Sequence, residues 1–276
     1  MSRGFVLCAD DFAMTEGVSR SILELLDHGR LSATGAMTNR PHWLGLAGAL
    51  GAFAGRADLG VHLNLTCGAP LAPMPLVAPG GELPALRDLA RLALRSAAAR
   101  REIAAEIARQ VDAFAQRLGR APDFLDGHQH VHVLPGVRRA VLDLVAARYP
   151  GGETYLRDPS DSVAAIRSRG VAVGKALVIA GLATGLRRAA SRRGIVLNRG
   201  FSGVSPFDPA RDFGADLARF LHRPGPRHLV MCHPGFVDDE LRRLDPVVAT
   251  RPVEHAALMA FRPPEGLALS RFRDLG

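Results

Sequence analysis

Six polar residues stand where apolar segments end, and their types suit hydrolysis at a divalent metal. Asp10 and Asp11 close the run FVLCA (5–9), His62 interrupts LGVHLNLT (59–66), and His128 opens a histidine-rich tract after Asp126. Arg157 closes a later segment, and His233 follows LVMC (229–232). Parallel α/β folds collect their reactive groups at the carboxyl ends of strands, so residues far apart in sequence can converge there. A carboxylate and two imidazoles from three strand ends would bind one divalent ion and leave coordination positions open for water and substrate. Neighbouring Asp side chains leave a strand in different directions. One can therefore bind the ion while the other takes a proton from a water beside it, the pattern of metal-assisted hydrolysis.

Each of these residues also has a structural reading. An Asp-Asp pair can cap a helix, a lone histidine in an apolar strand can be a hydrogen-bonded core residue, and arginines often serve surface ion pairs. The tract HQHVH (128–132) is harder to explain as packing. In an extended segment its alternation puts His128, His130 and His132 on one face, where one or two could bind a cation and the others fix ring tautomers. The remaining five histidines, His28, His42, His222, His228 and His255, lie in helix or loop contexts and are read as structural. The same residues leave room for a metal-dependent phosphoesterase, or for a non-catalytic sugar-binding or metal-storage protein.

The elements that must position these groups alternate. Strand-like segments at 5–9, 31–39, 59–66, 124–133, 154–157, 199–204 and 228–232 are separated by helical patterns at 17–30, 42–55, 101–118, 136–149 and 175–193. In 101–118 the apolar residues Ile103, Ile107, Val111, Phe114 and Leu118 recur at helical spacing. The Pro/Gly-rich stretch 68–84 reads as a long loop framing a site. Strand–helix alternation predicts an α/β fold with a mostly parallel sheet and right-handed crossovers. No repeat or linker divides the chain, so 1–276 is expected to form a single domain.

Composition narrows the class. With 276 residues, 47% hydrophobic and 22% charged, the chain is expected to be globular, and disorder or a disulfide-stapled miniature is excluded. Three scattered cysteines, Cys8, Cys67 and Cys232, form no CxxC and are expected as buried thiols. No apolar run approaches the ~18 residues of a membrane span, and the N-terminus runs into a strand-like segment instead of a signal core, so a cytoplasmic protein is expected. The net charge of +8 is spread along the chain, and one Trp and two Tyr offer little for base stacking; no nucleic-acid partner is expected. Residues 173–193 join an apolar block to a basic end. They are read first as a buried barrel helix with a solvated end, and second as a weak membrane-surface contact.

Taken in order, ADDF (9–12), GRLSATGAMTN (29–39), LGVHLNLTCGAPL (59–71), LDGHQHVHVLP (125–135), LRD (156–158) and MCHPGFVD (231–238) resemble the YdjC-like carbohydrate deacetylases of the ChbG and HpnK type. The resemblance covers most of the chain, with 170–207 the least typical part. It implies a (β/α) barrel variant, one divalent ion (Mg²⁺ or Zn²⁺), and removal of acetyl groups from N-acetylated sugars. By the same resemblance Asp11, His62 and His128 correspond to the metal ligands, Asp10 to the catalytic base, His233 to an acid acting as imidazolium, and Arg157 to a residue lining the substrate pocket. The implied substrate is an N-acetylated saccharide or glycolipid head group; a homodimer is left open. One departure is Ala13, where the commoner pattern has glycine, a residue free to adopt positive φ.

Overall fold

The run from Phe5 to Ala9 is apolar without interruption because its strand lies in the middle of a sheet. The computed structural model describes residues 3–275. Its strands are β1 (Arg3–Phe12), β2 (Ala33–Ala36), β3 (Asp58–Leu63), β4 (Phe124–Gly127), β5 (Tyr155–Leu156), β6 (Phe201–Ser202), β7 (His228–Cys232) and β8 (Leu267–Leu269). They form one sheet in the order β5-β4-β3-β2-β1-β7-β6, with β8 beside the start of β1. Every pairing is parallel, with Phe5 opposite His228, Ala9 opposite Cys232 and Cys8 opposite Ala33. Parallel neighbours require crossovers, and helices supply them.

The edges of the sheet are drawn together. Leu156 of β5 bridges in parallel to Leu197, just ahead of β6. The Asn198 side chain accepts from the Asp158 N–H at 2.6 Å and donates to the Asp158 carbonyl at 2.9 Å. The result is the (β/α) barrel variant that the alternation predicts, with the carboxyl ends of β1, β3 and β4 opening on one side.

Helix Ala97–Leu118 begins where Ser96 Oγ accepts the Ala99 N–H and ends at Gly119 in the left-handed region. It buries Ile103, Ile107, Val111 and Phe114 completely, and Phe114 stacks on Trp43 at 5.8 Å. The three cysteines are free and buried, as expected. No helix among the described residues is long and apolar enough to cross a membrane.

Several expectations are corrected. β3 stops at Leu63, short of Thr66, because Asn64 Oδ1 accepts from the Thr66 and Cys67 N–H groups and folds the chain into a turn. The helix expected over 175–193 is two, Val173–Leu182 and Leu186–Ser191, separated at Gly185 with φ 83°. The first is not a buried barrel helix, since only Ile179 of its ten residues is buried. β8 and the helices Leu86–Arg95, Val163–Arg169, Phe213–Phe220 and Thr250–Ala260 were not anticipated.

His228 is structural, as read from the sequence, and titratable. Its Nδ1 accepts the Gly225 N–H at 3.2 Å, while Nε2 lies 2.9 Å from Ser202 Oγ and 3.2 Å from the Phe220 carbonyl. Burial, with Arg169 nearby, pushes it down to about 3. Below about pH 6.5 the unfolded chain therefore takes up a proton that the folded chain refuses, and stability contributed by the neutral ring is lost as pH falls. Between pH 7 and pH 5 the urea-unfolding free energy is expected to drop by about 2 kcal/mol more in the wild type than in His228→Gln, which has no such proton to bind. Parallel pH profiles for the two proteins would remove the assignment.

Candidate active site

At the end of β1 the backbone departs from regular strand geometry, and that departure aims both aspartates at one cavity. The register slips between Ala9 and Phe12, and Asp11 adopts φ 71°. Regular alternation would send adjacent side chains to opposite faces. Ala13 follows with φ 68°, held by its N–H to Ser19 Oγ at 2.9 Å, so the position where glycine is commoner does require left-handed backbone.

Asp11, His62 and His128 meet. Asp11 Oδ1 is 2.9 Å from His128 Nδ1 and 3.3 Å from His62 Nε2, and one ligand atom from each residue lies within 4.8 Å of the other two. On its far side His62 Nδ1 donates to Asp126 Oδ1 at 2.7 Å, which fixes the ring so that Nε2 faces Asp11. Arg251 occupies the other oxygen of Asp11, donating to Oδ2 at 2.7 Å, and is itself held by Asp245 at 2.6 Å. A carboxylate so divided offers a single oxygen to the cage. Burial opposes ionisation of Asp11, but His128 and Arg251 outweigh it and hold the carboxyl well below the usual range. Burial would likewise push His62 down, yet Asp126 and Asp10 raise it to about 10. A cage that retains an imidazolium proton so firmly has an excess of negative potential, and its donor set of one carboxylate oxygen and two imidazoles fits a divalent ion.

Asp10 turns away from this cage. Arg157 donates to both of its oxygens, at 2.6 and 2.7 Å, and to Cys8 Sγ at 3.0 Å, and forms an ion pair with Asp126 Oδ2 at 2.6 Å. Cys8, Asp10 and Asp126 also lie close enough to share an ion, but the guanidinium already serves as the cation there. Arg157 was expected to line the substrate pocket. It instead lies behind Asp10 with 0% exposure, its two terminal nitrogens bonded to Asp10 and Cys8 and its Nε without a partner.

His233 follows β7 with Nε2 4.0 Å from Asp10 Oδ2, while its backbone N–H donates to Glu254 Oε2 at 2.6 Å. Burial pushes the ring down to about 4, so it rests neutral at pH 7 and must gain a proton before it can act as an acid. Burial also pushes Glu254 up to about 7.

The expectation that His128, His130 and His132 share one face of an extended segment is overturned. β4 ends at Gly127, and the chain enters a tight turn with Gln129 and His130 at φ 52° and 57°. A Cβ on Gly127 would meet Val131 Cγ2 at 2.8 Å, so this close reversal needs glycine. His128 reaches the cage, while His132 is fully buried with Nε2 donating to the Arg157 carbonyl at 3.0 Å. His130 packs edge-on against Phe201 and faces the same cavity as the aspartates.

A cavity of about 570 Å³ takes in Asp10, Asp11, His62, His128 and His233 together. Five of the six residues singled out from the sequence thus converge. Sequence reasoning missed Arg251 and Glu254, for which a lone Arg or Glu on an amphipathic helix gives no signal. Asp126 was noted only as the neighbour of the histidine tract.

Residues 4–265 match the family model for YdjC-like proteins. The chain belongs to the YdjC-like family. Among its relatives, the chitooligosaccharide deacetylase of Klebsiella pneumoniae is 28% identical over 288 aligned positions, covering 100% of both chains. A carbohydrate deacetylase of Geobacillus stearothermophilus is 35% identical over 153 residues, covering 54% of this chain and 58% of that protein. The chitooligosaccharide deacetylase of Enterobacter sp. is 32% identical over 148 residues, with 54% and 58% covered. In the latter two the matched stretch spans less than two thirds of the relative. A solved structure from Enterococcus faecalis, named for a suspected role in cellobiose-phosphate cleavage, superposes on the YdjC-like chain with a TM-score of 0.74. It covers 100% of this chain and 99% of that one at 20% identity, which supports the barrel-like fold.

Proposed function

We propose that this YdjC-like protein hydrolyses the acetamido group of an N-acetylated sugar, releasing acetate and the free amine, with one divalent ion held by Asp11, His62 and His128. The observation that carries this reading is Asp11 Oδ1 facing both imidazoles at 2.9 and 3.3 Å, in a cavity shared with Asp10 and His233. The deacetylases among its relatives support the same bond and substrate class. When bound, the ion supplies Lewis acidity to the amide carbonyl and to the attacking water.

The chain's own groups then manage protons and position. Arg157 clamps both oxygens of Asp10, so the carboxylate cannot rotate away as it takes a proton from the water. His233 starts neutral with Nε2 4.0 Å from Asp10 Oδ2, a separation that one water molecule would bridge, and through it can gain that proton as the water attacks. It then hands the proton to the departing nitrogen while the carbon–nitrogen bond breaks. An amine leaves poorly without this transfer. The phosphoesterase alternative is disfavoured by Arg157, whose guanidinium fills the position where a second ion would stand.

The test is acetate release from N-acetylglucosamine oligomers and from a glycolipid bearing the same sugar, with and without chelator, alongside the metal content of the protein. Release that stops on chelation and returns with about one equivalent of Zn²⁺ or Mg²⁺ is expected. Full release by metal-free protein would overturn the assignment.

A further inference from the structure

His130 combines two features that packing does not explain. It and Gln129 hold left-handed backbone, at φ 57° and 52°, a conformation uncommon for residues with side chains and strained in two successive ones. Val131 and His132, both fully buried, anchor the far end of the same turn in the core. The second feature is the ring's bonding. His132 and His228 show what buried histidines do here, each directing an Nε2 at a backbone carbonyl. His130 has no such bond, and its Nδ1 is enclosed and unpartnered among the described residues. The ring stands edge-on to Phe201, with centres 6.0 Å apart, and is only partly buried, so the nitrogen left for the cavity is Nε2.

The turn that strains His130 also sets its reach. His128, two residues earlier, meets Asp11 at the cage, and both histidines line the cavity with Asp10 and His233. An acetamido group engaged at the cage and at Asp10 therefore brings the adjoining part of its sugar toward Nε2. On a 2-acetamido sugar, C1 and C3 flank the nitrogen-bearing carbon. In a glycoside C1 carries an ether oxygen, which has no proton to give. C3 carries a hydroxyl, which can accept and donate, as an imidazole can.

Resting on the deacetylase reading above, we infer that His130 is a specificity-determining residue whose Nε2 hydrogen-bonds the C3 hydroxyl of the sugar. The substrate class so selected is a 2-acetamido sugar with a free hydroxyl at C3. Ethers and esters at that position are disfavoured, by the lost bond and by their bulk.

The test compares the methyl glycoside of N-acetylglucosamine with its 3-deoxy and 3-O-methyl analogues on metal-loaded protein. Acetate release gives kcat/KM, and calorimetry gives binding independently of turnover. The wild type is expected to lose about tenfold in kcat/KM and in binding on the 3-deoxy sugar, the scale of one hydrogen bond left unmade, and at least as much on the 3-O-methyl sugar. His130→Asn places a residue at ease in left-handed backbone and withdraws the polar group. His130→Phe keeps a ring against Phe201 and has no nitrogen. Each should retain the ion, lose activity on the parent glycoside, and treat parent and 3-deoxy sugars alike. Thermal midpoint and metal content identify the variant that is folded, and the wild-type series decides alone if neither is. A purely structural role would lower turnover of all the sugars by the same factor.

Equal release and equal binding of parent and 3-deoxy sugars by the wild type overturn the inference and leave deacetylation standing. So does a tenfold preference that survives in a folded His130 variant. Weaker binding of the 3-deoxy sugar, with no acetate released from any of the glycosides, supports the hydrogen bond and overturns the deacetylase reading. Neither binding nor release overturns both.

Discussion

Asp11→Ala and His128→Ala are each expected to lose divalent-ion binding and acetate release together, whereas Asp10→Asn should keep the ion and lose about 10²–10⁴ in kcat. The split follows from where the oxygens point. Asp11 Oδ1 is the carboxylate atom that faces both His62 and His128, so removing it leaves two imidazoles without the charge that organises them. His128 is the less rigid of the two, since its Nδ1 contact to Asp11 is its one side-chain hydrogen bond among the described residues, and alanine there opens the cage without disturbing Asp126. Asp10 lies outside the cage and bonds to Arg157 through both oxygens. Asparagine preserves its shape and removes its capacity to take a proton. Metal content after dialysis, measured beside kcat on the same preparations, separates the two outcomes. An Asp10→Asn protein that binds the ion and retains the wild-type rate would transfer the base role elsewhere, with neutral His233 the next candidate.

How much of this was legible in the sequence depends on which physical level set each feature. Residue type and strand-end placement were enough to bring out Asp10, Asp11, His62, His128 and His233, because charged and imidazole groups at the ends of apolar runs have few other uses in a parallel sheet. The burial of β1 was equally plain from its five apolar residues. What could not be read was direction. The reversal at Gln129 and His130 depends on a close approach at Gly127 that periodicity does not register, and it separates three histidines that an extended tract would align. Protonation was hidden for a similar reason. Whether His233 is imidazolium or neutral depends on how much water reaches it, which tertiary packing alone decides. Arg251 shows the same limit, for in an arginine-rich chain nothing distinguished the one that grips Asp11 from those on the surface.

Arg157→Met is expected to cost about 3–5 kcal/mol of stability, the largest effect of any single substitution considered, because it strands two buried carboxylates. Asp10 and Asp126 are 2% and 0% exposed, and the guanidinium that joins them is 0% exposed, so neither acid can turn to water when the arginine is removed. A loss of that size should lower the thermal midpoint by roughly 10 °C. Arg157→Lys should recover only part of it, since an ammonium cannot present the planar fork that meets both oxygens of Asp10 and reaches Asp126 at once. Coupling gives the sharper test. Arg157→Met combined with Asp10→Asn removes one stranded charge and should be more stable than the sum of the single losses, with an interaction of about 1–3 kcal/mol in a double-mutant cycle. Kinetics divide the two roles open to this residue. A side chain in contact with substrate would chiefly raise KM when removed, whereas one that aims the base should lower kcat with KM little changed. Wild-type stability in Arg157→Met with a raised KM alone would return the arginine to the pocket wall and leave Asp10 without its orienting partner.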